Sequence, residues 1–161
     1  MPTLLIVHHS PTGSTQRLTD AVVGGTNDDA IQGVEVVVRP ALEAMRDDVL
    51  AADAFLLGTS ANFGYMSGAV KHFFDSFFLE MGGALSDDGS AAGASGGRKP
   101  YGLWVHGRYD ATGAVRSVQS IVGALPWQQA APVLEVMGDV TDDDLRAAHE
   151  LGATLAALLM T

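Results

Sequence analysis

Four hydroxyl side chains and one glycine crowd into six residues near the start of the chain, Ser10-Pro11-Thr12-Gly13-Ser14-Thr15. Ahead of them lies the apolar run Leu4-Leu5-Ile6-Val7. Behind them Leu18, Ala21 and Val22 recur at helical spacing. A strand, a loop of hydroxyls and a helix N-terminus, in that order, hold a phosphate without a metal or a lysine. The loop's N–H groups and hydroxyls point at phosphate oxygens. The helix end adds roughly half a positive charge, worth about 0.3–1 kcal/mol to an anion in an exposed site. Ser10, Thr12, Gly13, Ser14 and Thr15 are therefore the candidate anion site.

Two further loops are expected beside it. One is Thr59–Gly64, Thr-Ser-Ala-Asn-Phe-Gly, and the other runs from His106-Gly107-Arg108-Tyr109 to Gly113. Their glycines let backbone approach a flat ligand, and Phe63, Tyr65 and Tyr109 can stack on one. One phosphate beside a planar ring system describes a mononucleotide, and flavin mononucleotide (FMN) is the obvious candidate. His106 ends a strand at this edge. It is either a proton donor or charge stabiliser near the ring, the one weak catalytic candidate, or an ordinary hydrogen-bonded loop residue. His8 fits a strand end, His9 offers a further donor near the phosphate, and Asp75 pairs or caps on its own helix. No His or carboxylate set shows metal-ligand spacing, so no metal is expected.

The elements that must position these residues alternate strand and helix five times. Strands are expected at Thr3–His8, Val34–Arg39 (stopped by Pro40), Ala54–Gly58, Tyr101–His106 and Val133–Val136. Helices are expected from Gly13 to about Gly25, at Asp47–Ala52, Ser67–Met81 and Thr112–Leu125, and after a Thr141 cap with Asp142–Asp144 in its first turn. In the Ser67–Met81 helix, Ala69, Val70, Phe73, Phe74, Phe77, Phe78 and Met81 make a wide apolar face, either core or partly a dimer interface. Trp104 reads as core, and Trp127, after Pro126, as a surface or interface aromatic. Residues Gly82–Gly97 hold six Gly, three Ser and two adjacent Asp, a loop that is either a lid or partner contact, or a tolerated insertion. Short joints between alternating elements give right-handed crossovers. The expected fold class is α/β, a doubly wound five-stranded parallel sheet of order 2-1-3-4-5 with helices on both faces, in a single domain over 1–161. In such a sheet the three loops meet at the carboxyl edge, where strand order reverses.

The stretch Gly58-Thr-Ser-Ala-Asn-Phe-Gly-Tyr-Met-Ser-Gly-Ala-Val-Lys-His-Phe-Phe-Asp75 closely resembles the second-loop motif of flavodoxin-like NAD(P)H oxidoreductases, among them the NAD(P)H:quinone oxidoreductases and NADPH-dependent FMN reductases. There a Gly-[ST]-Pro-Thr-x-[FY]-Gly-x-Met-[SA]-Gly-x-x-Lys-x-Phe-x-Asp pattern holds the isoalloxazine. The Ser10–Thr15 loop resembles the same family's FMN phosphate loop. The resemblance implies that Ser10, Thr12, Gly13, Ser14 and Thr15 bind the phosphate and that Ser60, Ala61, Asn62, Phe63 and Gly64 contact the ring. His106, Gly107, Arg108 and Tyr109 would close over its other edge. Three positions depart from the pattern: Ser60 replaces Pro, Ala61 a frequent Thr, and Asn62 a frequent aromatic or Arg. The implied function is an FMN-dependent oxidoreductase passing hydride or electrons from NAD(P)H to a quinone or similar small acceptor. The alternative is a flavodoxin-type electron carrier that serves redox proteins. A phosphoacceptor receiver domain of the same topology is excluded, because His8-His9 and Thr59-Ser60 stand where it needs acidic residues.

Composition narrows the partners. The 161 residues are 47% hydrophobic and 17% charged, so a globular chain with a full core is expected. A formal net charge of −10 argues against nucleic acid, which needs clustered Lys and Arg. The acidity either keeps the protein in solution or steers it toward basic redox partners. No cysteine is present, which removes disulfides, thiolate metal sites and thiol nucleophiles together. No apolar run reaches the ~20 residues of a membrane span, and no basic region precedes the first apolar stretch, so no signal peptide and a cytoplasmic location are expected. The apolar helix face and Trp127 are compatible with a homodimer.

Overall fold

The computed structural model describes residues 1–80 and 97–161. The expected loop at Gly82–Gly97 lies, except for its last residue, outside them. In chain order the elements are β1 (Thr3–His8), α1 (Gly13–Thr26), β2 (Glu35–Pro40), α2 (Arg46–Ala51), β3 (Ala54–Asn62), β4 (Tyr65–Met66), α3 (Gly68–Glu80), β5 (Lys99–Gly107), α4 (Thr112–Val122), β6 (Trp127–Gln129), β7 (Leu134–Met137) and α5 (Asp142–Ala157).

The sheet runs β2-β1-β3-β5-β6, with β7 also on β5 and β4 on the end of β3. All pairings are parallel except β3–β4. In terms of the parallel strands this is the expected order 2-1-3-4-5, the last place being shared by β6 and β7. Pro132 lies in the gap between those two short strands and has no N–H to give a ladder. Pro40 does not stop β2 as expected but is its last residue, opposite His8, on an edge strand where its missing donor is tolerated.

Side chains alternate across the pleat and feed two cores. Leu4 and Ile6 join Leu18 and Val22 of α1 and Leu151 and Leu155 of α5 on one face. Leu5 and Val7 join the α3 phenylalanines and Val118 of α4 on the other. Trp104 is buried in the first core, as expected. Ser67 caps α3 by accepting the Val70 N–H at its Oγ, and Phe73, Phe74 and Phe77 are buried within the chain. That column of the apolar helix face is core. Thr141 caps α5 in a reciprocal pair with Asp144, so the acidic triplet has the structural role expected of it.

Three further expectations need correction. β3 does not end at Gly58 but continues to Asn62, because Thr59 and Ser60 keep pairing with β5 as far as Ser60↔His106. A proline at position 60 could not donate to that ladder, and serine can. Helix α4 stops at Val122 rather than Leu125 and passes through a turn into β6. Trp127 is not a surface or interface aromatic: it is 4% exposed and stacks on Phe55 at a centroid distance of 3.8 Å. Phe74 and Phe77 surround it at 6.5 and 6.1 Å. Its place on β6, opposite Lys99, turns it inward. Trp127→Ala should therefore cost about 3–5 kcal/mol and lower the Tm by about 6–20 °C, measurable by thermal denaturation. A residue packed only against a second subunit would show a concentration-dependent loss instead.

Candidate functional site

The carboxyl ends of β1, β3 and β5 open onto one cleft of about 570 Å³, within the size range of cofactor sites. Its walls are Pro11, Thr12, Ser14 and Thr15, then Ser60 to Gly64, then His106 to Asp110. The structure thus brings together twelve of the fourteen residues singled out from sequence. Ser10 and Gly13 belong to the first loop without lining the cleft. Pro11 and Asp110 line it without having been singled out. Asp110 carried a local signal, an Asp two residues before a helix start: its Oδ1 accepts the Thr112 N–H at 2.9 Å. That backbone bond holds its carboxyl below the usual range.

One end of the cleft is the N-terminus of α1. Thr12 is the cap: its Oγ1 accepts the Thr15 N–H and Thr15 Oγ1 accepts the Thr12 N–H, at 3.2 and 3.0 Å. Gln16 N–H closes the first helical bond to the Thr12 carbonyl at 2.9 Å. The Gly13 and Ser14 N–H groups make no hydrogen bond among the described residues, so the first turn presents two free donors. Thr12 and Gly13 are exposed at this end. Ser10, half-buried at the start of the loop, has its hydroxyl between His8 Nδ1 at 2.8 Å and Thr19 Oγ1 at 2.7 Å.

The opposite wall is a β-hairpin rather than the loop expected over Thr59–Gly64. Asn62 pairs with Tyr65 and Ala61 with Met66. Phe63 and Gly64 form the two-residue turn, with φ of 52° and 73°. Two positive φ values are the type I′ geometry that closes twisted strands. Glycine adopts it freely, whereas phenylalanine pays about 1 kcal/mol. The Phe63 ring stands fully in solvent. The hairpin is clamped at its base, where the Met66 N–H donates to Ser117 Oγ at 3.3 Å and the Ser67 N–H to Thr59 Oγ1 at 2.9 Å. At its tip a Cβ on Gly113 would overlap the Gly64 carbonyl oxygen, so hairpin and α4 touch backbone to backbone.

The third wall follows β5. His106 is buried, and its Nε2 donates to the Gly138 carbonyl at 2.7 Å. With Nε2 so committed, the neutral ring offers Nδ1 only as an acceptor. That suits holding the loop better than donating a proton. The Gly138 N–H returns a bond to the Gly107 carbonyl at 2.7 Å, tying this wall to the end of β7. Tyr109, at 97% exposure, stands in solvent as Phe63 does. Arg108 reaches Asp139 only in an exposed 3.5 Å pair, of little energetic weight. Ser60 Oγ is buried without a hydrogen-bond partner. No group of metal ligands forms among the described residues.

A donor-rich, uncluttered helix end, a roomy cleft and two unpacked aromatics suit an anionic group attached to a flat ring. No protein-family model matches the chain. A flavodoxin from Aquifex aeolicus is 30% identical over 97 residues, 60% of this chain and 51% of that protein. An NAD(P)H dehydrogenase (quinone) from Geobacter sulfurreducens is 28% identical over 133 residues, 68% of this chain and 62% of that protein. The chain thus spans less than two thirds of the length of these relatives. Among solved structures, oxidised Flavodoxin 1 from Bacillus cereus aligns with a TM-score of 0.75 at 17% identity, over 98% of this chain and 99% of that one. The fold is the flavodoxin fold. The resemblance found in the sequence motifs therefore holds both for the fold and for the proteins the sequence matches. In this flavodoxin-fold chain, Gly113→Ala should push the hairpin tip off α4. Overpacking of about 1–3 kcal/mol predicts a Tm lower by about 2–12 °C, with faster amide exchange at Tyr65 and Met66 than at Leu56.

Proposed function

We propose that the cleft binds FMN and that the protein is an oxidoreductase passing electrons from NAD(P)H to a quinone or similar small acceptor. The observation that carries this reading is the cleft itself, with free helix donors at one end and two solvent-exposed aromatics at the other. In this reading the phosphate takes the Gly13 and Ser14 N–H groups and the hydroxyls of Ser10, Thr12, Ser14 and Thr15. No lysine or arginine lines that end, so neutralisation falls to the helix dipole and the loop donors. Ser60 to Gly64 and Gly107 to Tyr109 hold the ring. Phe63 and Tyr109 then lose solvent exposure, a favourable burial of aromatic surface. Bound FMN supplies the redox chemistry, accepting a hydride and returning electrons singly or in pairs. The chain's own residues bind, orient and shield it, and His106 fixes the third wall through Gly138. The sequence match to an NAD(P)H dehydrogenase (quinone) and the Met66-Ser67-Gly68…Lys71 part of the second motif favour the enzyme. A single domain, a cytoplasmic setting and a homodimer belong to the same reading.

A second reading, an electron carrier serving redox proteins, is favoured by the net charge of −10 and by the match to a flavodoxin. Added FMN should give a bound visible spectrum, and the loaded protein should oxidise NADH or NADPH with a quinone present. Binding without turnover on any acceptor, together with stepwise one-electron reduction, selects the carrier. No binding removes both readings. Thr12→Ala should cost about 0.5–2 kcal/mol of stability through the lost cap. It should also weaken FMN more than riboflavin, which lacks the phosphate, in fluorescence-quenching titrations of both ligands.

A further inference from the structure

We propose that His8 is a proton-linked positioning residue for the phosphate end of the cleft: a phosphate dianion bound at the Ser10–Thr15 loop draws a proton onto the imidazole, which then holds Ser10 as a donor toward the anion. The inference rests on the FMN reading above and adds a residue with no place in it so far.

The geometry is a short chain of polar atoms beneath the loop. His8 Nδ1 lies 2.8 Å from Ser10 Oγ, and Ser10 Oγ lies 2.7 Å from Thr19 Oγ1. Thr19 is 2% exposed, on the buried side of α1. A serine hydroxyl has one proton to give and two lone pairs to fill. When His8 Nδ1 is unprotonated, Ser10 must spend its proton on the imidazole and has none left for an anion. When Nδ1 carries a proton, Ser10 accepts from His8 and can accept from Thr19. Its own proton is then free for a phosphate oxygen. A neutral ring protonated at Nδ1 would satisfy the same bonds, but the imidazolium adds a positive charge toward a dianion at the α1 end of the cleft, which no lysine or arginine lines.

The surroundings keep the unliganded ring neutral. Burial, and next to it His9, hold its pKa below the usual 6.5, against a smaller upward pull from Asp20. Asp20 is the carboxylate acting on it from α1, and it also accepts from Gln16 Nε2 at 2.8 Å. On β2 the facing residue is Pro40, and the adjacent Arg39 is paired with Asp48 at 3.3 Å. On β3 the facing residue is Gly58. A bound dianion supplies the negative charge these neighbours lack and raises the pKa. With the free ring neutral at pH 7.5, binding takes up a proton, and affinity falls as pH rises toward the pKa of the complex. The phosphate's own last proton leaves near pH ~6, below this window.

Calorimetric titration of FMN into the flavin-free protein at pH 7.5, in two buffers of different ionisation enthalpy, counts the protons taken up. The wild-type chain should take up a fraction of a proton with FMN and none with riboflavin. His8→Asn, whose amide can still bond Ser10, should bind FMN with no uptake, and His9→Asn should leave the uptake unchanged. Between pH 7 and 8 the wild-type Kd should rise by up to about tenfold per unit, the limit for one linked proton, while that of His8→Asn stays flat. FMN binding without uptake in the wild type, uptake kept in His8→Asn, or uptake lost in His9→Asn overturns the role of His8 and leaves the FMN reading standing. Failure of FMN to bind at any pH overturns the FMN reading and the inference with it.

Discussion

The cleft exists because β1 leaves the sheet before its neighbour does. β1 pairs with β3 as far as His8↔Gly58, and a last bond runs from the His9 N–H to the Gly58 carbonyl at 3.1 Å. β3 then continues for four residues, Thr59 and Ser60 against β5 on its other side and Ala61 and Asn62 in the hairpin. The chain after β1 turns into α1 on one face, while the chain after β5 turns into α4 on the other. A gap between diverging connections is the geometric consequence of reversing strand order at β1 and β3. Every wall of the site hangs from that divergence.

The walls differ in how they are held. The wall at the start of α1 is fixed by local chemistry, the reciprocal Thr12–Thr15 cap and the chain of hydroxyls from Ser10 to Thr19. The hairpin wall is fixed by distant elements: Ser117 of α4 holds its base, and the absence of a side chain at Gly113 lets its tip come close. The third wall depends on β7 through the exchange between His106, Gly107 and Gly138. The strain at Phe63 and the orphaned Ser60 hydroxyl both sit in the stretch Ser60 to Gly64 that lines the cleft. Such departures from local optima gather where binding is expected, held in place by the surrounding contacts.

Legibility in the sequence followed the range of the forces involved. The Ser10–Thr15 loop, the Ser67 start of α3 and the Thr141 cap are local statements, each settled by residues within a turn of one another. The β1, β3 and β5 runs are apolar throughout because both their faces are covered, so their existence was plain. The end of β3 was not, because polar residues such as Thr59 and Ser60 resemble a loop until β5 is there to pair with them. Trp127 looked exposed after Pro126 for a similar reason: its partner Phe55 lies 72 positions earlier.

By itself the sequence determined the order of the main elements, the two-sided sheet and the capped start of α1, since periodicity and capping are written in neighbouring residues. Only the tertiary structure decided which side chains face the cleft. It tied the Ser10 hydroxyl to His8 and Thr19, made a strained hairpin of Asn62–Tyr65, and committed His106 Nε2 to the Gly138 carbonyl. Those outcomes depend on register and on contacts between residues tens of positions apart. No local pattern encodes them, because the energy that selects them appears only when the strands pair and the helices pack.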